Sequence, residues 1–272
     1  MWRGAQGRTF NGFAAMKFDN LDAKMRVFET AADQCVLPGV FMVARLDGRG
    51  FTALTKERHA FDAPYDVRFR DMMLATAEHV MTCGFRAVYG YAQSDEISLL
   101  FHKDEDTFNR KTRKYNSILA GEASAKFSLL LGDVGVFDCR ISQLPNDELV
   151  RDYFRWRNED AVRNALNAHG YWMLRKRGAT VAEATGKLLG MSVADKNELL
   201  FQGGINFNDL PAWQKRGVGV YWETYEKESQ DPRTGAIARA TRRRLKRDLE
   251  LPMGDAYGEF ILRMIESAAT SQ

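Results

Sequence analysis

Apolar positions along the chain fall into short continuous runs and helix-spaced stripes, and their order sketches a fold. Residues 36–46 are apolar and β-branched enough for a buried strand, which runs into Asp47-Gly48-Arg49-Gly50, where two glycines permit a tight turn. Asp47 is thereby placed at the end of a strand. After a polar connection, Val67, Phe69, Met72, Met73, Ala77, Val80 and Met81 recur at helical spacing until Gly84, with Asp66 as the expected N-cap. Residues 86–92 read as a strand, 93–96 as a turn and 97–102 as a second strand, a β-hairpin with acids at its tip. A second long helix is expected over 107–131, with Phe108, Tyr115, Ile118, Leu119 and Leu129 on its inner side, and a further strand over 134–141. The order β-α-β-β-α-β is the split βαβ pattern of ferredoxin-like sheets, an α+β fold.

From Asn146 onward the pattern turns mostly helical. Asn146 is placed to cap a helix holding Tyr153, Phe154 and Trp156, while Thr180 with Glu183 and Ser192 with Asp195 have capping-box spacing. A late strand over 218–225 is expected to return to the sheet. Beyond Lys227 the chain becomes polar and basic, then amphipathic from Tyr257 to Ile265. The expected organisation is an N-terminal extension (1–15), a catalytic core (16–145), a helical extension returning to the sheet (146–225) and a basic and amphipathic C-terminal tail (226–272).

Composition narrows the class. At 272 residues, 45% hydrophobic and 28% charged, the chain can bury a real core as one domain with attachments. No apolar run approaches the about 18 residues that span a bilayer. Trp2, Arg3 and Arg8 are not followed by an apolar core of signal-peptide length. Cys35, Cys83 and Cys139 are odd in number and widely spaced, which fits reduced thiols and a cytoplasmic protein better than a disulfide frame. His59, His79, His102 and His169 form no ligand spacing with them, which argues against zinc. A net charge of +3 demands no polyanion, but 110–114 (RKTRK) and 242–247 (RRRLKR) are each either a phosphate contact or a solvated helix face.

Asp47 and Asp95 carry the candidate chemistry. In a split βαβ sheet the first strand lies beside the hairpin, so these carboxylates can converge although far apart in the chain. Magnesium prefers oxygen ligands and keeps room for waters and substrate phosphates, and two such ions stabilise the attacking and leaving oxygens of an in-line displacement. The Gly48 carbonyl can add a ligand without adding charge. The loop Gly48, Arg49, Gly50, Phe51 and Thr52 can offer consecutive main-chain N–H groups to a triphosphate. Arg110, Lys111 and Lys114 share one helix face, and because that helix follows the hairpin its first turns are expected near the acids. They are either a clamp on triphosphate oxygens or a solvated basic turn.

Several longer stretches resemble one family. RLDGRGFTALT (45–55), HAFDAPYDVRF (59–69), YAQSDEISLLF (91–101), WRNEDAVRNAL (156–166), YWMLRKRG (171–178) and KNELLFQGGINFNDLP (196–211) are similar, in order and spacing, to tRNA-His guanylyltransferases and their bacterial and archaeal relatives. The resemblance covers about residues 16–225. It implies a polymerase-type palm, two magnesium ions, and joining of an incoming nucleotide through its 3′-hydroxyl to an activated 5′ end of tRNA. Where the tRNA begins with a monophosphate, it implies that ATP first adenylylates it and that the 3′-hydroxyl then displaces AMP. By position, Asp47, the Gly48 carbonyl and Asp95 would hold metal, and Asp47 to Thr52 with Ser94 and Asp95 would contact the nucleotide, GTP or another triphosphate. Arg110, Lys111 and Lys114 would face phosphates, Glu96 would support the hairpin, and the chain would form a homo-tetramer.

The chain departs from the family's eukaryotic members at two places. Their His-Ile-Asn-Asn motif is matched by Val162-Arg163-Asn164-Ala165, and a basic residue often found before the first-loop proline is replaced by Ala63. These departures resemble the guanylyltransferase-like branch, whose members refill truncated tRNA 5′ ends under base-pairing control. The palm alone also allows a nucleotide cyclase, and a ferredoxin-like sheet alone allows a non-catalytic RNA-binding module; the latter presents exposed aromatics for base stacking.

Overall fold

The structure, a computed structural model, describes residues 11–230 and 237–270. In chain order its elements are α1 (Asn11–Thr30), β1 (Phe41–Gly48), the short turn α2 (Phe51–Ala53) continued by a π-turn over Leu54–Arg58, α3 (Val67–Val80), β2 (Ala87–Gln93), β3 (Glu96–Phe101), α4 (Thr112–Leu131), β4 (Phe137–Leu144), α5 (Asp147–Lys176), α6 (Val181–Leu188), α7 (Val193–Gln202), α8 (Ala212–Arg216), β5 (Val218–Gln230), β6 (Ile237–Asp248) and α9 (Gly254–Thr270).

The strands form one antiparallel sheet ordered β4-β1-β3-β2-β5-β6. Its first four strands are the expected ferredoxin-like core. Strand β1 reads as a continuous apolar run because both its faces are covered. Met42, Ala44 and Leu46 join Met73, Leu74 and Ala77 of α3 and Tyr115, Leu119 and Phe127 of α4. Phe41 and Val43 turn to the other face, against Val150 and Phe154 of α5 and Tyr257 and Ile261 of α9. Alternation carries Arg45 and Asp47 out on that second face, where the apolar cover ends. The ladder sets Asp47 opposite Glu96 of β3 and Asp138 of β4.

The expected caps are present. Asp66 accepts from the Arg68 amide at 2.7 Å and Asn146 from the Leu149 amide at 2.9 Å, and Thr180–Glu183 and Ser192–Asp195 form reciprocal capping boxes. Helices α6, α7 and α8 pack along α5, with Leu166, Met173, Leu200 and Phe207 in a satellite core.

Other expectations are corrected. The second long helix begins at Thr112; the preceding turn holds Phe108, Asn109 and Arg110 at positive φ (54°, 53° and 58°). Glu105 fixes this irregular turn by accepting from the Arg86 and Thr107 amides and the Tyr115 hydroxyl. Leu129 is 83% exposed, not inward. The 225/226 boundary falls inside β5, and the basic run 242–247 lies on β6, paired along its length with β5 rather than on a helix. Helix α9 then packs against α5 and β2, so 254–270 is part of the body. All three cysteines are free thiols, with Cys35 exposed. Among the described residues no helix is long and apolar enough to cross a membrane. Most of the proposed N-terminal extension, 1–10, lies outside the described residues. Tyr89 and Tyr91 on the sheet face are fully buried by α5 and α9, which removes the open stacking platform an RNA-binding sheet needs.

Candidate functional site

The end of β1 and the hairpin tip are tied together by main chain. The Gly48 amide donates to the Asp95 carbonyl at 3.0 Å and the Arg49 amide to the Val136 carbonyl at 2.8 Å. A Cβ at Gly48 would stand 2.6 Å from the Phe51 ring and 2.9 Å from Asp95 Cβ, so only glycine allows the two segments this approach. Gly50 follows in the left-handed region (φ 72°) and turns the chain into α2. The buried Phe51 ring, 5.0 Å from both Phe127 and Phe137, anchors that turn in the core.

Two of the five loop amides are therefore already used. The N–H groups of Gly50, Phe51 and Thr52 meet no acceptor among the described residues, so the turn leaves three consecutive donors. Thr52 is exposed at the cavity described below, Arg49 is exposed, and Phe51 contributes its amide and its anchoring ring.

Asp47 is flanked by cations: Arg140 lies 3.5 Å and Arg45 3.7 Å from its Oδ2. Asp95 is half-buried and accepts from the Ser94 hydroxyl at 3.0 Å. Burial raises its carboxyl above the usual carboxylate range, and the neighbouring Asp47 and Glu96 charges push the same way. Glu96 is buried and held by Arg157 of α5 through bonds of 2.8 and 2.7 Å.

Two cavities meet at Ser94 and Asp95. The smaller, about 240 Å³, is lined by Asp47, Glu96, Arg157 and Asn164; the larger, about 730 Å³, runs between the first loop and α5 past Phe61, Tyr65 and Trp172. Lys56, Arg70 and Arg175 stand in the larger one. Lys56 donates to the Asp62 carbonyl at 3.1 Å and lies 5.8 Å over Trp172, and burial lowers its pKa. Arg70 stacks 4.7 Å over Trp213. These cations and Asn164 carry no role that sequence spacing alone assigns; the available signal is that they stand in or beside the stretches that resemble the family.

The donor set fits a hard cation. Two carboxylates and a carbonyl offer oxygen only; burial first, and then the Asp47 and Glu96 charges, disfavour an ionised Asp95 carboxyl, and a bound cation would offset both. Among the described residues no three His, Cys, Asp or Glu side chains cluster as a closed cage. Coordination by Asp47, Asp95 and Gly48 would thus leave places for water and phosphate.

Arg110, Lys111 and Lys114 are not brought to this site. Strand β3 starts beside Asp47 and carries the chain to the opposite end of the sheet before α4 begins. The Arg110 guanidinium is buried there, donating to the carbonyls of Val36, Val40, Lys103 and Glu105. Val40 precedes Asp47 by seven residues of nearly extended chain, roughly 23 Å at about 3.3 Å each. Lys111 binds Asp33 at 2.9 Å, Arg113 binds the same carboxylate, and the two cations hold it down at about 2. Lys114 lies 5.7 Å over the Phe108 ring.

Comparison with known proteins accounts for the arrangement. The family model for tRNAHis guanylyltransferase matches residues 22–145, and that for the Thg1 C terminal domain matches 148–253. The probable tRNA(His) guanylyltransferase of Mus musculus is 31% identical over 253 residues, covering 86% of this chain and 84% of that protein. The tRNA(His) guanylyltransferase of Debaryomyces hansenii is 32% identical over 238 residues, covering 82% and 89%. Among solved structures, a bacterial tRNA(His) guanylyltransferase-like protein in complex with ATP superposes with a TM-score of 0.72 at 26% identity, covering 90% of this chain and 98% of that one. A GTP complex superposes with a TM-score of 0.69 at 26% identity, covering 91% and 99%. Consecutive family models from residue 22 to residue 253, and relatives aligned over most of their lengths, place the chain in the tRNAHis guanylyltransferase family of nucleotidyltransferases.

Proposed function

We propose that this chain adds nucleotides to the 5′ end of tRNA in the 3′ to 5′ direction, and that refilling of truncated 5′ ends is its task. The observation that carries the reading is the hydrogen bond from the Gly48 amide to the Asp95 carbonyl, which ties the end of β1, where Asp47 stands, to the hairpin tip, where Asp95 lines two cavities. Asp47, Asp95 and the Gly48 carbonyl would hold two magnesium ions, which when bound neutralise triphosphate charge and favour ionisation of the attacking 3′-hydroxyl. The Gly50, Phe51 and Thr52 amides receive phosphate oxygens, helped by Lys56 and Arg70, while Ser94 orients Asp95. The aromatic wall of the larger cavity takes a nucleobase. Structures of similar bacterial proteins hold ATP and GTP, which supports ATP as activator of a 5′-monophosphate and GTP or another triphosphate as the added nucleotide.

Repair is favoured by what lines the smaller cavity. Asn164 stands there without the histidine of the eukaryotic motif, and its neighbour Val162 packs in the satellite core. The Ala63 carbonyl, where a basic residue is often found, instead accepts from Lys176 at 2.7 Å. Pairing with the opposite tRNA strand then selects the base. The homo-tetramer implied by the resemblance belongs to the same reading and is checked by the mass in solution.

The test combines the protein with magnesium, the nucleoside triphosphates and a tRNA lacking its first nucleotide, and reads product length. A product longer by one nucleotide is expected. No extension, or extension undiminished by Asp95→Ala, overturns the reading.

A further inference from the structure

Helix α1 exposes an apolar line. Phe18, Leu21, Met25 and Phe28 are 66%, 57%, 52% and 72% exposed. They follow one another at spacings of three, four and three residues, which on a helix makes one continuous stripe. This is the a/d pattern of a heptad repeat, with Phe18 and Met25 at a and Leu21 and Phe28 at d. Scattered exposed apolar residues need no account, whereas four in line mark an interaction face.

The flanking charges select the occupant. With Phe18 at a, the e positions hold Asp22 and Glu29 and the g positions Lys17 and Lys24. In a parallel helix pair each g residue faces the e residue five positions later on the other helix. Lys17 then meets Asp22 and Lys24 meets Glu29, opposite charges at every crossing. An antiparallel pair would set lysine against lysine and acid against acid. Lys17, Lys24 and Glu29 form no ion pair among the described residues, and Asp22 is bound only to Arg26 of its own helix, at 2.6 Å. The stripe is thus complementary to a second copy of itself in one orientation.

We propose that α1 is a self-association surface through which two copies of this chain join as a parallel helix pair, with Phe18, Leu21, Met25 and Phe28 along the seam. Such a contact is isologous, each residue meeting its own counterpart across a two-fold axis. A seam of this length is weak as an isolated coil, so its test reads the helix itself rather than total mass.

In the full chain carrying Cys35→Ser, Leu21→Cys puts a thiol on the seam and Ala23→Cys puts one on the outer face. Mild oxidation is expected to give a disulfide-linked dimer for Leu21→Cys and none for Ala23→Cys. Adding Lys17→Glu and Lys24→Glu to the Leu21→Cys chain is expected to abolish that dimer, as is adding Asp22→Lys and Glu29→Lys. Mixing the two charge-altered chains, made at distinguishable lengths, is expected to restore it as the mixed species alone. Equal cross-linking at both positions, no dimer for Leu21→Cys, or charge-altered chains that still cross-link with themselves would each overturn the proposal. An antiparallel pair, or docking of α1 on the body of another copy, gives one of those results.

Discussion

Glu96 on β3 and Arg157 on α5 are joined by two parallel hydrogen bonds, 2.8 Å to Oε1 and 2.7 Å to Oε2, and both side chains are buried. Asp160 stands 3.2 Å from the same guanidinium. The pair fastens the helical unit to the hairpin whose tip carries Asp95. Burying both charges roughly offsets their attraction, but removing one leaves the other uncompensated, at a loss of about 3–5 kcal/mol. Arg157→Met is therefore expected to lower the unfolding free energy by on the order of 3 kcal/mol. Arg157→Met with Glu96→Gln is expected to lose clearly less than the two single changes added, as read by urea denaturation.

The closeness of Gly48 to Asp95 gives a second prediction. A methyl group at position 48 meets the Phe51 ring at 2.6 Å, and Phe51 is wedged between Phe127 and Phe137 and has no room to yield. Asp95 Cβ, at 2.9 Å, must then move. Gly48→Ala is expected to lose about 1–3 kcal/mol of stability, as overpacked cores do. Nucleotide addition is expected to fall by roughly 10- to 100-fold, as when support of a metal ligand is disturbed. Single-turnover rates under conditions where the variant is fully folded check this.

Arg110 distinguishes a structural cation from a phosphate clamp. Its guanidinium donates to four carbonyls at the far end of the sheet, and among the described residues no other cation donates to them. Arg110→Met leaves those buried acceptors without a charged donor, at about 1–3 kcal/mol. The expected outcome is a lower melting temperature with the KM for nucleoside triphosphate unchanged. A raised KM at full folding would return Arg110 to the nucleotide site.

The contrast between Arg110 and Asp95 shows what the sequence could convey. Asp95 was legible because two-residue alternation and a turn signal fix where a hairpin tip lies, and the split βαβ order then sets it beside Asp47. Arg110 is not legible in the same way, because nearness along the chain is not nearness in space: the intervening strand β3 spans the sheet. The strand over 218–225 is legible and pairs with β2, whereas the outer half of β5 and its partner β6 are not, for another reason. This outer part is solvated on both faces and so lacks apolar alternation; only cross-strand pairs such as Glu223–Arg244 and Glu228–Arg239 mark it, and these become visible once the register is known. Lys56 and Arg175 were legible as charges, but only the fold brings them to one cavity.

Asp95 yields the last prediction, with its sign set by the direction of its shift. Burial and the Asp47 charge raise its pKa in the folded chain above the unfolded value. Below the ordinary carboxylate pKa the group is protonated in both states and costs nothing. As pH rises from there through the raised folded value, the ionised form is penalised only when folded, so stability is lost, and above that value the penalty is constant. Asp95→Asn removes the penalty. Without magnesium the variant is therefore expected to melt above the unsubstituted protein at pH 7, with the gap closing toward pH 3, in scanning calorimetry. Magnesium should reverse the order, because a cation bound only by the folded Asp95 carboxylate stabilises it by mass action. Nucleotide addition by the variant is expected to fall by roughly two orders of magnitude or more. A variant that melts lower than the unsubstituted protein at pH 7 without magnesium would show that Asp95 is held by favourable contacts rather than kept under electrostatic strain for a cation.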